Sequence, residues 1–117
     1  MAQTTRRLDS FFQHGVTTVE GKSGYGLDLE TELKQLRVMK RLNETHLIDL
    51  VPIFMGAHEV PGEYKGREDD YVDLLVNEML PKVAEEGLAV FNDVFCEVGV
   101  FTPEQSERIL LAEKSLV

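Results

Sequence analysis

Apolar residues recur at helical spacing from the start of the chain. Leu8, Phe11 and Phe12 predict a helix over about Thr4 to His14, with Gly15 placed to end it. Val16 to Glu20 then reads Val-Thr-Thr-Val-Glu, a β-branched run that predicts a strand, and it leads into Gly21-Lys22-Ser23-Gly24-Tyr25-Gly26, a Gly-rich loop. Asp28 is suited to cap a second helix, in which Leu29, Leu33, Leu36 and Met39 recur at three- and four-residue steps to about Asn43. Glu30 and Glu32 near its start, with Lys40 and Arg41 near its end, complement the helix dipole.

Leu47 to Met55 is apolar apart from Asp49 and Pro52, the pattern of a parallel strand buried on both faces, although a proline sits poorly in a central strand. The loop Gly56-Ala57-His58-Glu59-Val60-Pro61-Gly62 follows, continuing with charged residues to about Glu68. Val72, Leu75, Met79, Leu80 and Val83 predict a helix over Asp69 to Glu86, kinked or divided by Pro81 and closed by Gly87. Val90 to Val98 predicts a third strand. Thr102-Pro103-Glu104-Gln105 then has the form of a capping box opening a last helix towards Leu116.

The predicted order is α-β-α-β-α-β-α, hence an α/β chain of successive βα units with a parallel sheet and right-handed crossovers. Polar, Gly-rich and ionisable residues gather just after each strand, at Lys22 to Gly26, Gly56 to Gly62 and Cys96 to Gly99. Parallel α/β folds build their sites at the carboxyl ends of strands, so these three loops are the candidates.

The 117 residues suit one domain, and 43% apolar residues with 9 Gly exclude a disordered or fibrous chain. A net charge of −9 repels phosphate backbones and anionic lipid, so neither nucleic acid nor membrane is an expected partner. A single cysteine, Cys96, excludes an internal disulfide and a Cys-based zinc cluster, and suits a reducing compartment. With no apolar leader after Met1 and no run long enough to span a membrane, the expectation is a soluble cytoplasmic chain.

Among the candidates for chemistry, Gly21-Lys22-Ser23 invites a phosphate-loop reading, but the upstream glycine of that motif falls at Val16. Tyr25, between two glycines, can offer its hydroxyl as donor or acceptor, or be a half-buried packing residue. His58 follows a buried-type strand, and its imidazole suits proton transfer or carbonyl polarisation near neutral pH; a structural role is the alternative. Ser23 with His58 lacks the Gly-x-Ser-x-Gly elbow of a hydrolase nucleophile. The histidines stand apart, without His-x-His or His-Glu-x-x-His, so no normal catalytic metal site is expected from this chain alone. His14 and His46 fall at helix ends, where capping suffices. Cys96 is expected as a small buried hydrophobe, Glu97 as either a site carboxylate or a solvated one, and Lys22 and Arg67 as solvated loop cations, with neutralisation of a ligand's anionic group as the alternative.

Val19-Glu20-Gly21-Lys22-Ser23-Gly24-Tyr25-Gly26-Leu27, followed by Glu30 to Lys34 and Leu36-Arg37-Val38, resembles the imidazolonepropionase family of the amidohydrolase superfamily. Later stretches agree in order and spacing: Phe54 to Pro61 with Glu63 to Arg67, Met79-Leu80-Pro81, and Asp93 to Glu97 with Gly99-Val100-Phe101. The match runs from about Leu8 to Leu111. The resemblance implies a partial TIM-barrel-like, metallo-dependent hydrolase segment. It also implies a parent activity, hydrolysis of the ring of 4-imidazolone-5-propanoate to N-formimidoyl-L-glutamate in histidine breakdown. Tyr25 matches the family's tyrosine that hydrogen-bonds substrate and product, and His58 the histidine that contacts the imidazolone.

The departures are as informative. The family's zinc or iron is held by a His-x-His that would precede Met1 and by a barrel histidine and aspartate that would follow Val117, as would the proton-shuttling glutamate. Gly21 stands where the family usually has a larger apolar residue, which should weaken the end of that strand. The expectation is therefore one internal fragment spanning residues 1–117, about three βα units of an eight-unit barrel, with part of a substrate pocket, no bound metal of its own, and exposed strand edges that favour self-association. The alternative is a stand-alone small α/β module with a binding or structural role and no chemistry.

Overall fold

The computed structural model describes residues 2–116. Helix α1 spans Ala2–Gln13, β1 Thr18–Lys22, α2 Leu29–Thr45, β2 Asp49–Ala57, α3 Glu68–Leu74, α4 Leu80–Glu86, β3 Phe91–Val94 and α5 Pro103–Lys114. The strands form one parallel sheet, as the alternating pattern predicts, and they lie in the order β1-β2-β3. Gly15, at φ +88°, ends α1. The Asp28 carboxylate accepts from Thr31 N at 2.8 Å, and the Thr102–Gln105 capping box is formed.

Strand β1 begins and ends two residues later than predicted. Val16 N is used to close α1, donating to Phe11 O at 3.1 Å, so the strand cannot start there. At the other end Gly21 and Lys22 stay in the ladder, opposite Pro52 and Ile53, because pairing to a long neighbour outweighs glycine's weak strand preference. Lys22 is thus a strand residue and not a loop cation. With no side chain at Gly21, an apolar groove of about 550 Å³ opens beside it, lined in part by Leu8, Phe11, Val19, Met39 and Leu50.

Pro52 is tolerated in the central strand for a topological reason. Ile53 O faces β1, accepting Ser23 N at 3.0 Å, whereas Pro52 O faces the other side and accepts Val90 N at 2.9 Å. The missing Pro52 N–H therefore points towards the chain just before β3 begins, and no β1–β2 bond is lost.

The predicted third strand is cut to Phe91–Val94, with only an isolated bridge from Cys96 to Phe101 beyond it. Phe95 N still donates to Ala57 O at 2.9 Å, but Cys96 N turns back to Val94 O and the chain leaves the sheet. Cys96 is consequently exposed, correcting its assignment as a buried hydrophobe. Glu97 is exposed too, its carboxylate accepting Val98 N at 3.2 Å across the turn.

The predicted long third helix runs as α3, a π-helical turn Leu75–Met79, and α4. Pro81 is the cause: its ring crowds the preceding turn and it cannot donate, so the helix widens one turn earlier, with Leu80 N bonded to Leu75 O. Gly87, left-handed at φ +60°, closes α4.

The main core joins α2 (Leu33, Leu36), β2 (Phe54, Ala57), the α3–α4 helix (Tyr71, Val72, Leu75, Met79, Val83) and α5 with its approach (Ile109, Phe101). A smaller cluster of Leu8, Leu42, Ile48 and Leu50 docks α1. His46 secures that docking, accepting Ile48 N at Nδ1 (3.0 Å) while Nε2 lies 2.7 Å from Asp9 Oδ1. His14 Nδ1 meets Ser10 O at 2.7 Å. Both histidines thus serve helix ends. On the sheet face away from the core Thr18, Glu20 and Lys22 are exposed, and Lys22 Nζ reaches past β2 to Asp93 Oδ2 at 2.9 Å.

Tyr71 is fully buried and its hydroxyl donates to Gly56 O at 2.8 Å. Burial first, then the nearby Glu32 charge, push its pKa above the phenol's usual value. The folded chain thus keeps a proton that the unfolded chain releases above about pH 10. That contribution is complete below about pH 10 and is lost as pH rises beyond it. Tyr71→Phe is expected to lower stability by about 1–3 kcal/mol in urea titrations at pH 7. The same change should flatten the fall in stability measured above pH 10.

Candidate functional site

The strand register brings the loops after β1, β2 and β3 to one rim of the sheet. The first is pinned to β2 at its root: Ser23 is buried, and its Oγ accepts Met55 N at 3.0 Å. With that oxygen engaged, Ser23 is a structural residue. Gly24 follows at φ +113°, where an added Cβ would lie 2.6 Å from Met55 O and 3.0 Å from His58 Cβ. The first loop can therefore lie directly against the start of the second only with glycine here.

Beyond Gly24 the chain wraps a carboxylate. Glu32, from the first turn of α2, is fully buried, and Gly24 N donates to both its oxygens at 2.9 and 3.1 Å. Gly26 N and Leu27 N donate to Oε1 at 3.0 and 3.1 Å. Successive N–H groups turned inward make a natural anion cradle, filled here by the chain's own side chain. Leu27 takes φ +60°, the one non-glycine residue with positive φ among the described residues. Sequence reasoning gave Glu32 to the helix dipole and missed this role. The available signal was a Gly-x-Gly turn placed just before an acidic first helical turn.

Tyr25 sits at the crest of that turn, 76% exposed. Its ring lies 4.9 Å from that of His58, centroid to centroid, tilted by 38°. His58 is the first residue after β2 and is half-buried. Phe95, first after β3, sets its ring edge-on to His58 at 6.0 Å and 79°. The two residues singled out from the sequence thus converge, one from each of two loops, and the third loop supplies an aromatic neighbour the sequence reading passed over. Its signal was position: it directly follows a strand, as His58 does.

The other candidates are engaged elsewhere. Lys22 is paired with Asp93 and, at 3.4 Å, with Glu20. Hydrogen bonding to Asp93 raises the Lys22 pKa, and the same bond holds the Asp93 carboxyl below its usual value. Arg67 lies 5.2 Å over the Tyr64 ring and donates to Glu63 O at 3.0 Å. Among the described residues no group of three or more His, Cys, Asp or Glu side chains is placed to hold a metal ion. No helix among them is long and apolar enough to cross a membrane.

No family model matches the chain. Individual curated proteins do. An imidazolonepropionase of Brevibacillus brevis is 68% identical over 111 residues, covering 95% of this chain and 26% of the relative. The chain resembles imidazolonepropionase over nearly its whole length. A Clostridium tetani imidazolonepropionase is 62% identical over 95% of the chain and 26% of its own length, and one from Geobacillus kaustophilus 59% identical over 97% and 27%. The chain therefore spans about a quarter of the length of the imidazolonepropionases it matches. The likeness expected from the Val19–Leu27, Phe54–Pro61 and Asp93–Phe101 stretches is borne out.

Gly24→Ala tests the contact between the loops. The clash with the Met55 carbonyl, added to an unfavourable φ, is expected to lower stability by about 1–3 kcal/mol in urea titrations. It should also weaken the Tyr25–His58 ring contact, read as a nuclear Overhauser effect between the two side chains.

Proposed function

We propose that this chain is the substrate-contacting segment of an imidazolonepropionase, the hydrolase that opens the ring of 4-imidazolone-5-propanoate to N-formimidoyl-L-glutamate in histidine breakdown. The observation that carries the reading is the convergence of Tyr25 and His58, 4.9 Å apart at the carboxyl ends of β1 and β2. High identity to imidazolonepropionases supports it over a stand-alone module without chemistry.

In the reaction one water adds to the ring carbonyl, and the ring C–N bond breaks to leave a carboxylate and a formimidoyl-substituted nitrogen. Tyr25 and His58 bind and orient the ring. A phenol hydroxyl both donates and accepts, and an imidazole offers one of each in its neutral form, which suits a planar ring bearing a carbonyl and N–H groups. Phe95, packed edge-on, restricts how the His58 ring can turn.

The parent enzyme takes zinc or iron. The residues of this chain do not fit a complete site for either, because the described histidines are dispersed and two of them serve helix ends. The cellular setting proposed is the cytoplasm, and the sheet is proposed as three consecutive βα units of a TIM-like barrel. Parallel sheets are ordinarily covered on both faces, and here one face and two strand edges are open, which favours self-association.

Calorimetry with 4-imidazolone-5-propanoate is expected to show binding to the chain, weakened about tenfold in Tyr25→Phe and in His58→Ala, as for loss of one ligand hydrogen bond of ~1.4 kcal/mol. Absence of binding would overturn the reading. The chain alone, supplied with zinc or iron, is expected to give no turnover above a metal-only blank. Light scattering should show species larger than a monomer at high concentration, and a single monomer peak throughout would contradict self-association.

A further inference from the structure

Glu32 is a buried carboxylate that pairs with no cation among the described residues, and its side chain is 0% exposed. Among the described residues the compensation comes from the N–H groups of Gly24, Gly26 and Leu27. A buried charge stripped of its partners is strongly destabilising, so carboxylate and turn require each other: the turn cannot open without orphaning the charge. The residues on both sides of Tyr25 are tied to the same carboxylate. The Tyr25 backbone is therefore held from both sides, while its ring stays 76% exposed.

We propose that Glu32 is a positioning residue for ligand recognition: without touching the ligand, its carboxylate holds the Gly24–Leu27 turn so that the Tyr25 phenol stands against His58 before a ligand arrives. This rests on the reading of Tyr25 and His58 as ligand contacts. Exposed rings on free loops spread over many orientations, and binding must then order them; a turn ordered in advance removes that part of the cost. The effect belongs to affinity and not to any bond-breaking step.

The side-chain series separates placement from folding. Glu32→Ala removes every acceptor. Glu32→Gln keeps one carbonyl oxygen for Gly26, Leu27 and the longer of the two Gly24 bonds, and sets an amide N–H₂ against Gly24 N in place of the shorter one. In the full chain, Glu32→Ala is expected to abolish the Tyr25–His58 nuclear Overhauser effect and to speed amide exchange at Gly24, Gly26 and Leu27 at least tenfold. Signals of Leu36, Tyr71 and Phe101 in the core should stay in place. Affinity for 4-imidazolone-5-propanoate should fall about tenfold with Ala. With Gln the fall should be smaller, exchange rising chiefly at Gly24.

A folded Glu32→Ala chain that keeps the ring contact overturns the proposal. If Glu32→Ala loses its core signals, Glu32→Gln decides: faster Gly24 exchange with a weakened ring contact supports the proposal, and no change in either overturns it. If the unmodified chain binds no imidazolone while its ring contact still depends on Glu32, placement by Glu32 stands and the ligand reading alone falls.

Discussion

The parallel ladder from β1 through β2 to β3 is the constraint on which the rest depends. Parallel pairing aligns strand ends, so residues far apart in sequence emerge at one rim with no further design. Tyr25, His58 and Phe95 meet there because Lys22 pairs with Ile53 and Val94 with Ala57, which sets the three exits within reach of one another. A slip of one residue in the β1–β2 register would carry the first loop away from His58 and turn Val19 and Gly21 from the helix-covered face to the open one.

Ladder register alone leaves loops free to wander, and two devices at the rim prevent this. One is close backbone approach: Gly24 admits the Met55 carbonyl where any Cβ would collide. At Gly56 an added Cβ would lie 2.5 Å from the Phe54 ring and 2.7 Å from Leu75. The second device is the enclosed Glu32 charge, which converts a flexible Gly-rich turn into one with a single satisfied arrangement. Tyr71 connects the two, because its hydroxyl holds the Gly56 carbonyl and the Glu32 charge helps to keep its proton in place.

Element order and strand direction were legible in the sequence because hydrophobic period, capping residues and loop composition all agree, from the Asp28 cap to the Thr102 capping box. Tyr25 and His58 were legible as candidates from loop position and chemistry. Strand ends were not: Gly21 reads as a breaker but is held by β2, and Cys96 reads as strand but leaves the sheet, since pairing partners are a property of the whole fold. Glu32 was hidden for a related reason. Composition marks a glutamate at a helix start as a solvated dipole partner, and only the three-dimensional path of the preceding turn shows its carboxylate enclosed.

The same geometry limits what the rim's cations can do. Lys22 is drawn into an ion pair with Asp93 that crosses the open sheet face, and Arg67 is stacked on Tyr64. For either to neutralise the propanoate of an imidazolone ligand, an existing partner would have to be given up, and an exposed pair of this kind contributes little because solvent and salt screen it. The exchange is therefore affordable in energy but not set up in geometry, because Lys22 projects from the strand and not from the loop that carries Tyr25. On the proposed reading, recognition would be built for the ring: a phenol and an imidazole, with a phenylalanine packed edge-on to the imidazole, suit a planar heterocycle, and the charged tail would fall outside what these three loops hold.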